Sequence, residues 1–475
     1  MEPDLIAVLD IGKTHAKLLI VDAASGATLY TTERAHASID GTAVRELDIA
    51  GIGDWLVAGL RNAPQRERIR HIVPIAHGAA AVLVDADGNA IAAPDYEDPA
   101  FDAVADAYRP LRDDFAQTGS PFLPLGLNLG RQWYLLQTRH PALFARVSQA
   151  LLYPQYWAWR LCGVAASELT SLGCHSDLWR VRDARESDLA RRQHWDSLLP
   201  PLHRAGDMLG TLTAELARAA RLDPGCRVLC GLHDSNASYL SHRAARRDDR
   251  PFCVVSSGTW TIVLAHGSAL ECIREPLDML ANIDAEGEPV PTARFMGGRE
   301  YARIAGPDGL NVEPDEQALF GLIRQGVLAL PGFAAEGGPF ARRRGSYRGA
   351  ERLRDAASRA ALATVYVALM TDLLLDQLDA AGDIILDGPL ASNALYARTL
   401  QTLRSHQTVY VGTRRNGNAA AARHLVTGRA PEPDTVAAGR GFDGGELERY
   451  RSEWRACVAA DARAAGAAGN VTGAG

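Results

Sequence analysis

Ile6-Ala-Val-Leu-Asp10-Ile-Gly12-Lys13-Thr14-His-Ala-Lys17-Leu-Leu-Ile-Val-Asp22 is an apolar run, a tight polar turn and a second apolar run. The pattern reads as a β-hairpin. With the run beyond Ala23-Ala-Ser-Gly26, residues 6–31 read as a three-strand meander. The turn carries Gly12 and Thr14, so it points backbone N–H groups and a hydroxyl at one spot. A protein can hold phosphate in that way without a side-chain cage. About half a chain later the pattern returns as Phe252-Cys-Val-Val-Ser256-Ser257-Gly258-Thr259-Trp260-Thr-Ile-Val-Leu264. Two such turns suit a phosphate chain gripped from both sides. That points to nucleotide-driven phosphoryl transfer in a cleft between two domains.

The rest of the chain agrees with this organisation. Its 475 residues are too many for one core, so two domains are expected. The net charge of −7 argues against nucleic-acid binding, which rests on phosphate neutralisation. Arg342-Arg343-Arg344 is too short to change that and reads as a solvated loop. No uninterrupted apolar stretch approaches the about 18 residues of a membrane span. The opening Met-Glu-Pro-Asp has no basic segment of the secretory kind. Seven scattered cysteines include one close pair, Cys226 and Cys230, a poor zinc pattern. Reduced, buried thiols in a cytoplasmic protein are expected.

Further strands are expected at Ile72–Ile75, Ala81–Val84, Arg227–Gly231, Asp383–Leu386 and Thr408–Val411. Residues 97–245 read as mostly helical, and Arg243–Arg250 as a hinge. Helices are expected at 393–403, capped by Ser392, and at 417–427, ended by Gly428. The second half repeats the plan of the first, which implies an α/β sheet in each. The Ala/Gly tail, 459–475, is expected to be disordered.

Phosphoryl transfer to an alcohol needs phosphate cradles, a metal ion and a carboxylate that accepts the hydroxyl proton. Asp10 stands at a strand end beside the first turn, where it would orient hydrated Mg²⁺. Asp234, in Gly231-Leu-His233-Asp234-Ser235, reads equally as a general base and as a helix cap. His233 reads as a local hydrogen-bonding residue. Trp260 reads as core or as a cleft wall.

The ordered set of these motifs resembles the FGGY family of carbohydrate kinases, of the actin-like ATPase superfamily, over residues 5–430. Asp10-Ile-Gly12-x-Thr14 resembles the first phosphate motif, and Ser256-Ser257-Gly258-Thr259-Trp260 the second. Gly231-x-His233-Asp234 resembles the catalytic-base loop, Asp387-Gly388…Asn393 the adenosine motif, and the helix after Gly417 the Gly-Ala-Ala helix. The resemblance implies two actin-like, ribonuclease H-like ATPase domains with a cleft between them, at residues 1–248 and 249–458. The first would bind sugar and supply the base; the second would bind ATP. It also implies a catalytic role for Asp234, and the division of motifs across the hinge at 243–250 predicts sugar-driven domain closure. ATP would be held by Gly12, Lys13, Thr14, Ser257, Gly258, Thr259, Gly297, Gly388 and Asn393, with Mg²⁺ at Asp10.

Within the family, Ser-Ser-Gly-Thr-Trp is similar to L-fuculokinases and L-rhamnulokinases. Asn128–Pro141, Leu152–Gly163 and Glu168–Ser171 resemble fuculokinase segments. The implied acceptor is the primary alcohol of a 6-deoxy-ketose, a pentulose or polyol being the alternative and a non-enzymatic ATP-binding protein the remote one. Sugar contacts would come from His77, Gly78, Ala79, Asp98, Asn128, Gln132, His233 and Asp234. His77 reads also as a satisfied strand-end histidine. Tyr96-Glu97-Asp98 stands where the family has its Trp/Tyr-x-Asp/Arg segment, so that one acid would bind sugar hydroxyls; it reads equally as a charged surface turn. Two departures stand out: Ala80 where deoxy-ketose kinases usually carry Asp, and Pro389 in place of the second Gly of the adenosine turn. The implied partners are a small sugar, with neither nucleic acid nor membrane, and a homodimer is left open.

Overall fold

The computed structural model describes residues 4–469, except 247, 335, 336, 342, 354, 414 and 415. It divides into two compact units. One contains Met1–Asp248, Leu280–Val290 and Arg415–Pro433; the other contains Asp249–Met279, Pro291–Arg414 and Asp434–Gly475. Residues 280–290 and 415–433, expected in the second domain, cluster by contacts with the first unit, while Pro289–Phe295 as a strand pairs with Thr261–His266 of the second. Burial explains the helix Gly417–Thr427: its Ala419, Ala421 and Ala422 join Ile6, Val8, Val73 and Leu240 in one apolar cluster.

The sheet of the first unit is built from β1 (Leu5–Ile11), β2 (His15–Asp22), β3 (Thr28–Ala35), β4 (Ile69–Ala76), β5 (Met208–Thr211), β6 (Arg227–Leu229) and β7 (Leu232–His233). Its order is β5-β6-β4-β1-β2-β3, with β7 paired to β4. The pairs β1–β4, β4–β6 and β4–β7 are parallel; β1–β2, β2–β3 and β5–β6 are antiparallel. β1 is apolar on both faces, as a central strand covered by helices must be. Leu5, Ala7, Leu9 and Ile11 face one cluster; Ile6 and Val8 face the other. By this alternation Asp10 falls on the Ile6–Val8 face, the one carrying helices Asp234–Ala245 and Gly417–Thr427.

The second unit repeats the plan with β8 (Phe252–Ser257), β9 (Thr261–His266), β10 (Pro289–Phe295), β11 (Asp383–Asp387), β12 (Val409–Gly412) and β13 (Thr435–Ala437). These run in the order β10-β9-β8-β11-β12-β13. From β10 to β13 the pairings are antiparallel, antiparallel, parallel, parallel, antiparallel. From β3 to β5 the first sheet gives the same series. The two hairpins quoted above are therefore equivalent elements of a duplicated α/β architecture.

The helix Ala356–Gln377 is long and apolar enough to cross a membrane, but 83% of its apolar window is buried inside the second unit. The sequence reading passed over it because Thr364, Thr371 and Asp372 interrupt the run. The helix Gly444–Gly469 docks Leu447, Tyr450 and Trp454 into the same core. Its Arg451 joins Arg404 on Asp372, which is fully buried. The expected disorder from 459 gives way to helix as far as Gly469, because alanine has the highest helix propensity; 470–475 lie outside the described residues. Residues 97–245 are less helical than expected and include the strand Gln149–Leu152, paired to Ala81–Val84.

Candidate active site

Three parallel strands of the first unit end at one level. Asp10 pairs with Ile75, and His233 with Ala76. Ligands of open α/β sheets bind beyond such carboxyl ends. The break between β6 and β7 has a local cause. Val228 pairs with Ile72 and Leu232 with Ile75, so Cys230 and Gly231 pass Pro74, which has no N–H to give. Gly231 takes φ +78, and a Cβ there would stand 2.1 Å from the Pro74 carbonyl oxygen. Only glycine fits, and the chain re-enters the sheet with His233 and Asp234 at its edge.

The helix Asp234–Ala245 begins at Asp234 itself, with His233 at the N-cap position and no side-chain cap bond from it. Asp234 Oδ1 accepts from the Ser235 N–H at 2.6 Å and from the Ser235 hydroxyl at 3.3 Å. His233 Nε2 lies 3.2 Å from the same oxygen. Asp234 thus ties down the first helical turn through one oxygen only. The cap reading does not hold in its expected form: the helix starts one residue earlier, with His233 at the N-cap, and the Asp234 side chain accepts only from its neighbour Ser235.

Asp10 is only partly exposed, and burial, followed by the negative charge of Asp234, lifts its carboxyl to about 6. Lys17 and a hydrogen bond from Asn418 oppose the shift. His77 is buried between Tyr153 and Tyr96, with ring centroids at 4.9 and 5.8 Å. Burial holds it down to about 4, so the ring is neutral at pH 7. Its Nδ1 lies 2.9 Å from the Gly78 carbonyl, while its buried Nε2 has no partner. An orphaned ring nitrogen within the field of Asp234 is a ready contact for a ligand hydroxyl.

Neighbouring glycine and glutamine shape this corner. A Cβ on Gly78 would meet His233 Nε2 at 2.7 Å, so that position cannot carry a side chain while the ring stays. Ala79 has φ +54, a strained value for a residue with a Cβ. Buried Gln132 holds that backbone by donating from Nε2 to the Ala79 carbonyl at 2.8 Å. Lys13 ends in ion pairs with Asp95 at 3.1 Å and Glu97 at 3.3 Å, and its ammonium stands 5.4 Å from the Tyr96 ring. Thr14 is exposed, and the Gly12 N–H closes the turn on His15 at 2.9 Å.

Asp10, His77, Gly78, Ala79, Gln132, His233 and Asp234 thus gather at one end of one sheet. Asp98 and Asn128 do other work. Asp98 accepts from the Ala100 and Arg45 backbone N–H groups, starting the turn Pro99–Val104. Asn128 is fully buried, and its amide spans Leu123, Pro121, Ser120 and His175. Sequence reading marked the segment that holds Tyr96 but missed Tyr153, Asn236 and Asn418 as members of this neighbourhood. Asn418 follows Gly417 at a helix start, which was the available signal.

In the second unit the expected nucleotide residues also converge. The Gly258 N–H donates to the Trp260 carbonyl at 2.7 Å, closing the turn, and Thr259 is exposed on it. A Cβ on Gly298 would stand 2.1 Å from the Gly258 oxygen, and one on Gly297 2.1 Å from Thr261 Oγ1. Gly388 has φ +81, and its Cβ would stand 1.9 Å from the Ser257 carbonyl. Ser257 Oγ donates to Asp387 O at 2.6 Å and accepts from Leu390 N–H at 3.0 Å. Asn393, not Ser392, caps the helix Ala394–Leu403 by accepting from Tyr396 N–H, and donates to Thr364. Pro389 opens the short turn Pro389–Ser392, where its missing N–H costs nothing. Trp260 is half-buried under the Arg294 guanidinium, 4.7 Å from its ring centre.

The duplicated sheet, a carboxylate and histidine cluster at the strand ends of one unit and a glycine-lined turn in the other define a sugar kinase of the actin-like class. The C-terminal domain described as Carbohydrate kinase FGGY matches residues 249–434. A carbohydrate kinase from Novosphingobium aromaticivorans is 35% identical, with a TM-score of 0.88, and the alignment covers 97% of this chain and 99% of that one. The chain belongs to the FGGY family of carbohydrate kinases. Its fold is also that of a xylulose kinase from Lactobacillus acidophilus (14% identity, TM-score 0.79, 97% and 99% covered). The same holds for a glycerol kinase from Plasmodium falciparum crystallised with ADP (12% identity, TM-score 0.75, 96% and 98% covered). No curated protein matches the sequence at a significant level.

Proposed function

We propose that this carbohydrate kinase phosphorylates the primary alcohol of a ketose, with a 6-deoxy-ketose such as L-fuculose or L-rhamnulose as the favoured acceptor, and that Asp234 is the general base. One observation carries the chemistry: three donors, Ser235 N–H, the Ser235 hydroxyl and His233, converge on Asp234 Oδ1. The second oxygen is left for the substrate. As the sugar oxygen bonds to the γ-phosphorus, its proton passes to Asp234 Oδ2. The bond from that phosphorus to the bridging oxygen breaks, and its electron pair leaves with ADP. The turns at Gly12–Thr14 and Ser257–Thr259 are read as phosphate cradles, with Gly297, Gly388 and Asn393 shaping the nucleotide side. Exclusion of water would keep it from competing as acceptor.

Kinases of this family use ATP, and the phosphates it brings are commonly bridged by Mg²⁺. Among the described residues no group of three or more His, Cys, Asp and Glu side chains could hold a metal ion. A magnesium ion that takes one protein carboxylate and completes its shell with phosphate oxygens and water fits this arrangement. Asp10 would supply that carboxylate, since a cation relieves the burial and repulsion that raise its proton affinity.

The deoxy-ketose preference rests on the sequence likeness and on the small, buried Ala79 and Ala80 beside His77. An apolar wall of this kind distinguishes a methyl from a hydroxymethyl by only about 1–3 kcal/mol. An ATP-consumption panel across ketoses, aldoses and polyols tests both parts. The highest kcat/KM should fall on a 6-deoxy-ketose. A clear preference for a pentulose or glycerol overturns the sugar assignment, and flat consumption across the panel overturns the acceptor class.

A further inference from the structure

We infer that Asn236 is a positioning residue, which sets the tautomer of His233 and through it orients the carboxylate of Asp234; the inference rests on Asp234 being the base. Asn236 is fully buried in the first turn of the helix Asp234–Ala245. Its Nδ2 lies 3.3 Å from the Thr170 carbonyl oxygen and 3.2 Å from His233 Nδ1. A carbonyl only accepts, so the amide presents its NH₂ to this side. One hydrogen goes to Thr170 and the other to His233. Nδ1 must then offer a lone pair, and the single proton of a neutral imidazole lies on Nε2. Nε2 is the nitrogen 3.2 Å from Asp234 Oδ1, and it donates there. With two bonds from Ser235, this draws Oδ1 inward and leaves Oδ2 for the acceptor alcohol.

The surroundings hold this chain in register. The His233 N–H donates to the Thr170 hydroxyl at 2.9 Å, and that hydroxyl donates to the buried Glu168 carboxyl. Gly78 leaves the space in which the ring stands. Burial lowers the proton affinity of His233 while Asp234 raises it, with burial the larger effect, so a neutral ring is the form to be fixed.

The test uses the full-length chain labelled with ¹⁵N-histidine. Long-range ¹H–¹⁵N spectra of the wild type should show His233 protonated on Nε2. Asn236→Asp keeps the shape but replaces the donor by an acceptor, so the proton should move to Nδ1. The His233–Asp234 bond is then lost, and kcat should fall about 10–100-fold, the value of one hydrogen bond to a charged group. KM for sugar and ATP should change little. Combined with Asp234→Asn, the substitution should add almost nothing, as expected when two residues act through one atom. A wild-type His233 protonated on Nδ1 overturns the inference, and that measurement needs no variant to fold. So does an Asn236→Asp enzyme with the tautomer moved and kcat intact, or full additivity of the two losses. Near-normal kcat in Asp234→Asn alone would instead overturn the base assignment.

Discussion

The hairpin turns Gly12–Thr14 and Ser257–Thr259 occupy equivalent places in equivalent sheets, yet their surroundings differ. The first borders titratable groups under tension: Asp10 lifted to about 6, His77 held neutral with an orphaned Nε2, and Lys13 clamped by two acids. The second borders Asp387, whose Oδ1 accepts from the Gly388 N–H, and the Arg294–Asp278 ion pair beside Trp260. It is shaped by glycines at 297, 298 and 388, pressed against backbone and Thr261, and by the Ser257 hydroxyl stitched between two loops. The duplicated sheets share a strand plan, and we propose that they divide the work. On the proposed reading, one copy would supply groups that move protons and read hydroxyls. The other would supply a surface shaped by glycines, where backbone can approach phosphate closely.

If that division is right, substitutions in the first copy should change rate, and those in the second should change stability and nucleotide affinity. Asp234→Asn is the largest test. It keeps the hydrogen bonds of Oδ1 but cannot accept a proton. Loss of a general base typically costs about 10²–10⁴-fold in rate. Sugar-dependent ADP release should fall by that factor, with the melting temperature unchanged. A folded variant of near-normal kcat would move the base elsewhere.

Gly388→Ala tests the other copy. The left-handed φ and the 1.9 Å approach to the Ser257 carbonyl both oppose a side chain, and backbone cannot swing aside. Urea unfolding should show a loss of at least about 2 kcal/mol. The KM for ATP should rise more than the KM for sugar. Unchanged stability would show that the second turn is softer than its packing indicates.

This asymmetry was only half legible in the sequence. Both hairpins, the strand–helix alternation and the loops at Asp10 and Asp234 could be read directly, because period-two apolar patterning and glycine turns are local signals. Gly388 could be marked, but not the carbonyl that makes it obligatory. Asp98, Asn128 and Asn393 were marked as ligand contacts, and each has a capping or buried bridging role that depends on partners elsewhere in the chain. The segment 415–433 could not be assigned to the first unit, because only tertiary burial of Ala419 and Ala422 reveals the partner. Asn236 lies two residues from Asp234, yet its meaning comes from Thr170, far away in sequence.

The acid–base character of the first copy should also appear without substrate. Asp10 has a folded-state value of about 6, against 3.8 for an unperturbed aspartate. Between those values the folded chain binds more protons than the unfolded one, so stability falls as pH rises through that window. Asp10→Asn removes the buried charge. It should stabilise the metal-free protein at pH 7 by about 1–2 kcal/mol and have little effect at pH 4. Chemical unfolding at the two pH values without Mg²⁺ checks this. Equal effects at both would mean that Asp10 carries no elevated value.

The smallest expected effect is the sharpest test of the division, because Ser257 has two competing roles. The sequence likeness makes it a phosphate contact. The geometry makes its hydroxyl a staple, donating to Asp387 O and accepting from Leu390 N–H. A hydroxyl has one proton, and here it is already given to a carbonyl. It cannot also be donated to a phosphate oxygen unless the loop at 387–390 lets go. Ser257→Ala should therefore cost about 1 kcal/mol of stability, the net value of an ordinary buried hydrogen bond. Losses in kcat and in ATP affinity should stay within a few-fold, as a loosened cradle would give. The comparison variant is Gly258→Ala, where the nearest atom to a Cβ is the Trp260 carbonyl oxygen at 3.8 Å. It should leave stability almost unchanged and act on ATP affinity alone, because any cost comes from a methyl placed beside the phosphates. If Ser257→Ala instead lowers kcat/KM for ATP a hundredfold with its melting temperature intact, the hydroxyl is a phosphate ligand. The two turns would then be functional equals, and the proposed division of labour would fail.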